Sequence, residues 1–286
     1  MMTESTCYKG TRKMSIKGVL WHSTGCNNPQ VKRYVQPSKS DKNYNVLINK
    51  IGYNTYQNDW NHTKVDAGLN AWIGRMMDGS VASVQTMPWN YRPWGCGSGS
   101  KGSCNDGWIQ FEICEDNLKN ESYFNAVYKE ACELTAYLCT LYKIDPLGKT
   151  QLNGVTVPTI LCHYDSYKLG LGSGHVDITH WFPKYGKSMD TVRKDVAALM
   201  GKMTEKEKVV TSPASLPILK LGDSGRAVRN VMLILKDLGY YTDTIPAYDN
   251  TFGPKMNYAV HMFQRHYGLE QDGIVGEKTY EMLFKG

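Results

Sequence analysis

No apolar run in this 286-residue chain approaches the ~20 residues that a membrane-crossing helix needs, so no helical membrane insertion is expected. The opening residues Met1 to Cys7 lack a basic region followed by an apolar stretch, so no secretory signal is expected. No pair of cysteines has CxxC spacing, which argues against a Cys-rich zinc site. Basic runs interleaved with aromatics are missing too, and no nucleic-acid face is expected. Nor does any region have the low hydrophobicity of a disordered chain.

What is present is ordinary in bulk and uneven in detail. At 41% hydrophobic and 21% charged residues, the composition is that of a soluble globular protein, long enough for two domains with cores of their own. All eight cysteines fall within the first 162 residues, and without an export signal they are expected as reduced thiols. Cys132 and Cys139 lie on a helical pattern and read as core. Cys96 and Cys104 bracket a Gly/Ser loop and are the one pair that could close after release. The net charge is +6, yet the eight basic and eight acidic residues from Pro213 onward cancel. The excess therefore belongs to the larger, amino-terminal part, where it suits either a polyanionic partner or a plain solvated surface.

Ile16 to His22 is a short apolar run that reads as a buried strand, ended by the turn-forming Ser23-Thr24-Gly25. His22 then sits at a strand's carboxyl end, where α/β sheets place ligands. Asn70 to Arg75 and Val81 to Thr86 read as a hairpin turning at Asp78-Gly79. A long loop rich in Trp and Gly follows, through Trp94-Gly95-Cys96 to Gly107; such loops are usually functional or mobile. Trp108 to Cys114 alternates as a strand, with Gln110, Glu112 and Cys114 on one face. Glu121 to Tyr142 is an amphipathic helix with Phe124, Val127, Ala131, Leu134, Leu138 and Leu141 on its stripe. Thr159 to Cys162 is a further short strand delivering His163, and Ser188 to Met200 is a helix. The expected fold class is α/β, a mixed central β-sheet flanked by helices, over residues 1–203.

Residues 204–215 are charged and then rich in Thr, Ser and Pro, the composition of a linker. Residues 216–286 carry three short helical patterns, with Val228, Val231, Met232, Leu235 and Leu238 on the first. Tyr258, Ala259, Met262 and Phe263 lie on the second, and the third ends near Phe284. This is expected to be a small, separate, all-α domain of three helices.

Chemistry concentrates between Leu161 and Trp181, which hold His163, Asp165, His175, Asp177 and His180. Imidazoles and carboxylates suit zinc, and a catalytic zinc takes three protein ligands, leaving one position open. His22 and His163 from strand ends, with Asp177 from a Gly-rich loop, are the expected metal ligands. Glu112, on the same sheet, is placed to act as general base on water. His175 is placed to face the same cavity. Other assignments stay open on the residues alone. His175 could replace His163, Asp165 could replace Asp177, and Asp177 could simply cap the helix near His180. His62, His180, His261 and His266 read as structural.

From about Lys17 to Met200 the chain resembles the type 2 N-acetylmuramoyl-L-alanine amidases, whose fold is shared with peptidoglycan recognition proteins. Gly18 to Thr24, Met77 to Val81, the Trp94-Gly95 loop, Ile109 to Ile113 and His163 to Trp181 carry the resemblance. Gly174-His175-Val176-Asp177, with Gly186 to Asp190, looks like amidases of Gram-positive bacteria and their phages. The resemblance implies Zn2+ on His22, His163 and Asp177, with Glu112 as catalytic acid/base. Two residues before the third ligand many relatives carry an oxyanion-stabilising Lys; His175 stands there. Where relatives often carry a His after the loop Trp, this chain has Cys96. Leu219 to Gly225, Phe252-Gly253, Val260 to Gln264 and Gly268 to Thr279 resemble the three-helix peptidoglycan-binding domain. The resemblance thus implies hydrolysis of the bond between N-acetylmuramoyl groups and L-alanine in bacterial peptidoglycan. With no leader expected, it also implies an endolysin, made in the host cytoplasm and acting on the wall after release. A bacterial autolysin and a non-cutting peptidoglycan receptor are the alternatives. A glycosidase using Glu112 and Asp165 is a third.

Overall fold

The computed structural model describes residues 1–63, 65–210, 216–245 and 249–284, with backbone alone over 202–210. Its strands are β1 (Gly18–Asn27), β2 (Ala71–Arg75), β3 (Val81–Gln85), β4 (Trp108–Glu115), β5 (Lys149–Leu152), β6 (Val155–Pro158) and β7 (Ile160–Cys162). Its α-helices are α1 (Thr6–Lys9), α2 (Tyr44–Ile51), α3 (Glu121–Tyr142), α4 (His163–Lys168), α5 (Met189–Val210), α6 (Arg226–Asp237), α7 (Pro254–His266) and α8 (Glu277–Leu283). The chain divides into two compact units, Met1–Gly201 and Lys202–Gly286.

In the first unit, five strands form one sheet in the order β3-β2-β4-β1-β7. β1 runs parallel to both β4 and β7, β2 runs parallel to β4, and only the β2/β3 hairpin is antiparallel. The central position of β1 explains its composition. Val19, Leu20 and Trp21 are fully buried, as a strand covered on both faces requires. On one face Trp21 meets Phe111 at 5.1 Å between ring centroids, and α3 lays Phe124 and Tyr128 over them, with Phe182 closing the cluster. Each such buried ring contributes on the order of 1.5–3 kcal/mol by leaving water. Phe124→Ala would cost about 3–5 kcal/mol, because the cavity adds to the lost burial.

The α3 helix starts at Asn120, whose side chain accepts from the Tyr123 amide at 3.0 Å. Its stripe departs from expectation at the last turn. Leu141 is 49% exposed, and the buried face instead takes in Tyr123, Tyr128, Cys132, Thr135 and Cys139. Four residues beyond Leu138 lies Tyr142, not Leu141, and it is Tyr142 that stays half-buried. The β5/β6 hairpin was passed over in the sequence, although Asn153-Gly154 marks it. Both residues have positive φ, 50° and 77°, as a two-residue hairpin turn demands.

The stretch 204–215, expected as linker, meets helical backbone as far as Val210, since α5 continues beyond Met200. Its Glu/Lys run favours helix by propensity. Residues 211–215 lie outside the described residues.

The second unit contains α6, α7 and α8 around Leu219, Val228, Val231, Met232, Leu235, Phe252, Val260, Phe263 and Tyr280. Buried Gln264 ties its turns together. It donates to Asp272 Oδ1 at 2.7 Å and to the Ile274 carbonyl at 2.9 Å, and accepts from the Gly273 amide at 3.0 Å. On α7, Met256, Ala259, Val260 and Phe263 take the core positions, while Tyr258 and Met262 are exposed.

Candidate metal centre

The register of β1 on β4 sets His22 beside Glu112, and that of β2 on β4 sets Trp72 on the other side of Glu112. Residues paired in register project from the same sheet face, so His22, Gln110 and Glu112 share the face opposite Trp21 and Phe111. β7 ends at Cys162, and His163 begins α4 directly after it, as the sequence suggested. Asp177 comes from the Gly-rich loop and reaches both imidazoles. His22 Nδ1 lies 2.9 Å and His163 Nδ1 3.0 Å from the same oxygen, Asp177 Oδ2. The two rings stand edge to face, 4.9 Å apart. Ligand atoms of His22, His163 and Asp177 all fall within 4.8 Å of one another, and both histidines are buried.

Two further contacts hold the loop that presents Asp177. Ile178 is a buried β-branched residue at φ 60°, a strained conformation for that residue type. Its amide donates to Ser23 Oγ at 3.2 Å, next to His22 on β1. Glu115, at the end of β4, accepts from the Gly25 amide at 3.0 Å and meets His180 Nε2 at 2.9 Å. The strained turn is thus fixed from the sheet, which aims the carboxylate.

Charge is distributed unevenly across the site. Burial works to raise the Asp177 carboxyl, but hydrogen bonds from His163 and His22, and their charge, outweigh it and hold it well below the ordinary range. Glu112 is the opposite case. Desolvation, and then the negative charges of Asp177 and Glu115, push its carboxyl well above the ordinary range, and no hydrogen bond offsets this. A half-buried, unpaired carboxyl beside two convergent imidazoles is the pattern of a proton-transfer group.

His175 is exposed and stacks on His163, with ring centroids 4.7 Å apart. Its Nδ1 lies 3.2 Å from Ser173 Oγ, which also sits 3.2 Å from His163 Nε2. Asp165, the other carboxylate considered, belongs to α4 and faces Arg193 at 3.4 Å, so it joins neither the metal cluster nor Glu112. His180 belongs to Glu115, and His62 to Asp59. The eight cysteines are free thiols. Burial raises Cys96 and Cys104, and desolvation followed by Asp165 pushes Cys162 up to about 12, so none of these three is a ready nucleophile.

The Trp94–Cys96 loop packs directly behind His22. A Cβ on Gly95 would fall 2.4 Å from Gln110 Oε1, 2.4 Å from Leu69 Cδ2 and 3.2 Å from His22 Nε2, so only glycine fits there. Sequence reasoning missed Ser23, Asn105, Gln110 and Ser173 as parts of the site. Gln110 carried a usable signal, as an amide in a strand shared with Glu112.

Fold and site together define a mixed-sheet α/β protein with a His-His-Asp cluster suited to a catalytic metal. The chain belongs to the N-acetylmuramoyl-L-alanine amidase family, whose profile matches residues 12–180. A peptidoglycan binding domain profile matches residues 224–283. Among curated relatives, a probable N-acetylmuramoyl-L-alanine amidase of Bacillus licheniformis is 29% identical over 178 residues, 60% of this chain and 44% of the relative. A spore cortex-lytic enzyme of Bacillus cereus is 37% identical over 68 residues, 24% of this chain and 25% of the relative. The chain spans less than half the length of these curated relatives. Among solved structures, the Staphylococcus aureus hydrolase AmiA aligns over 68% of this chain and 80% of its own, at 19% identity and a TM-score of 0.44.

Among the described residues, no helix is long and apolar enough to cross a membrane.

Proposed function

We propose that the protein is a zinc-dependent amidase that cleaves the bond between the lactyl carbonyl of N-acetylmuramic acid and L-alanine in bacterial peptidoglycan. The observation that carries this reading is the convergence of both Nδ1 atoms on one Asp177 oxygen, beside a half-buried Glu112. The donor set fits zinc: two imidazoles and one carboxylate, close enough to share an ion, with their other ring nitrogens already engaged. When bound, zinc supplies Lewis-acid polarisation of the scissile carbonyl and makes water nucleophilic at neutral pH.

The chain's own residues supply the proton traffic. Glu112 takes a proton as water attacks the carbonyl carbon, and its raised pKa lets it hold that proton. The C–N bond then breaks, and Glu112 returns the proton to the departing amine of L-alanine. N-acetylmuramic acid leaves as a carboxylate. His175, exposed beside His163, donates to the developing oxyanion from the solvent side. Residues 216–286 hold the enzyme on its insoluble substrate, raising the local concentration of cleavable bonds.

The test is digestion of purified walls by the wild type, His163→Ala and Glu112→Ala, with zinc content measured in parallel. New free L-alanine amino groups without new reducing sugars are expected for the wild type. Reducing sugars would indicate a glycosidase, and neither product a receptor. Glu112→Ala is expected to keep zinc while losing activity by about 10²–10⁴-fold. Full activity in that variant would overturn the mechanism.

A further inference from the structure

We infer that Asn105 and Gln110 form an amide relay that fixes the proton of His22 on Nε2 and so reserves Nδ1 for the metal. The inference rests on the metal-site reading above and assigns Gln110 as a positioning residue.

At the main chain, donor and acceptor are unambiguous. The amides of Gly95 and Cys96 lie 3.1 and 3.2 Å from one side-chain atom of Asn105. Backbone N–H groups only donate, so that atom is the oxygen. The other Asn105 atom lies 2.9 Å from the Gly97 carbonyl, which only accepts, so it is the NH2 group. The Asn105 oxygen also lies 2.9 Å from a Gln110 side-chain atom, which must therefore be the Gln110 NH2. The remaining Gln110 atom is then its oxygen, 2.8 Å from His22 Nε2. A carbonyl oxygen cannot donate, so His22 Nε2 carries the hydrogen.

In a neutral imidazole the other nitrogen is then a lone pair. Without an ion, a protonated His22 Nδ1 donates to Asp177 Oδ2 at 2.9 Å; a metal displaces that proton, and with Nε2 already holding its hydrogen the lone pair is freed on Nδ1. The relay thus presents a ligand atom where the carboxylate converges. Gln110 and Asn105 are both fully buried, so no solvent molecule competes for the contacts. Hydrogen bonds of this kind to metal-binding imidazoles set ring orientation and tautomer.

Two measurements test it, zinc affinity by chelator competition and ring-nitrogen NMR of zinc-loaded full-length protein. In the wild type, His22 is expected to bind through Nδ1 and to show a hydrogen on Nε2. Binding through Nε2 would overturn the relay without any variant. Gln110→Met keeps volume but removes the acceptor. Zinc affinity is expected to fall about 10–100-fold. Gln110→Glu keeps an oxygen toward Nε2 but turns its other oxygen against that of Asn105, so affinity is expected to fall there too, whereas a packing role would spare both similarly sized variants. Gln110→Met with wild-type affinity would sink the relay and leave the metal reading intact, provided His163→Ala loses zinc. Failure of the wild type to bind zinc would overturn both.

Discussion

The two histidines of the centre are held from behind in different ways. His22 Nε2 meets a fully buried amide whose orientation is dictated, through Asn105, by three main-chain groups. His163 Nε2 meets only the Ser173 hydroxyl, which also faces the Cys96 carbonyl at 3.3 Å and His175 Nδ1 at 3.2 Å. A hydroxyl rotates and both donates and accepts, so it permits either tautomer where an anchored amide permits one. The His22 side of the site is therefore preset, and the His163 side, backed by the Gly-rich loop, is adaptable. That division suits a centre in which His22 and Glu112 keep a constant geometry while the exposed loop meets substrate.

Asp177 is the residue that both halves share. Asp177→Ala is expected to lower zinc affinity by more than the ~100-fold upper range of an outer hydrogen-bond partner, read by chelator competition. An affinity unchanged in that variant would remove Asp177 from the ligand set.

Glu112 tests the His22 half through pH. Its folded pKa lies above the unfolded value of about 4.3, so its contribution to stability is complete below that pH and is lost as pH rises through the folded pKa. Metal-free Glu112→Gln, which cannot ionise, is thus expected to melt above the metal-free wild type at pH 8. The gap should close below about pH 4. Equal melting temperatures at both pH values would show that the carboxyl pKa is not raised as described.

The His163 half should give smaller effects. His175→Ala is expected to lower kcat by about 10-fold or less, since one exposed donor is lost, and to leave zinc affinity within about 2-fold. A loss of zinc would instead make His175 a ligand. Smallest of all, Ser173→Ala is expected to weaken zinc by roughly 3-fold, below the effect of Gln110→Met. The reverse ranking would show that the hydroxyl, and not the amide, is the dominant anchor.

Much of this was legible in the residues. The apolar run ending at His22, the period of α3 and the three helical patterns after residue 216 are local signals, written within a few turns or one strand. The three ligands came from strand ends and a Gly-rich loop, together with the family resemblance. Leu141 was misplaced because the buried face of a helix is set by what covers it as well as by its own period. The expected linker is helical over residues 204–210, because Glu and Lys favour helix as readily as they mark solvent.

By itself the sequence determined the strands and helices and which side chains could carry the chemistry, because propensity, periodicity and turn residues act between near neighbours. Only the tertiary structure decided how those side chains are held. Asp177 meets His22 across 155 residues, Gln110 meets His22 across 88, and Ser23 holds the Ile178 amide across 155. Those contacts depend on sheet order and register, which bring β1 beside β4 and β7 and which no short stretch of chain encodes.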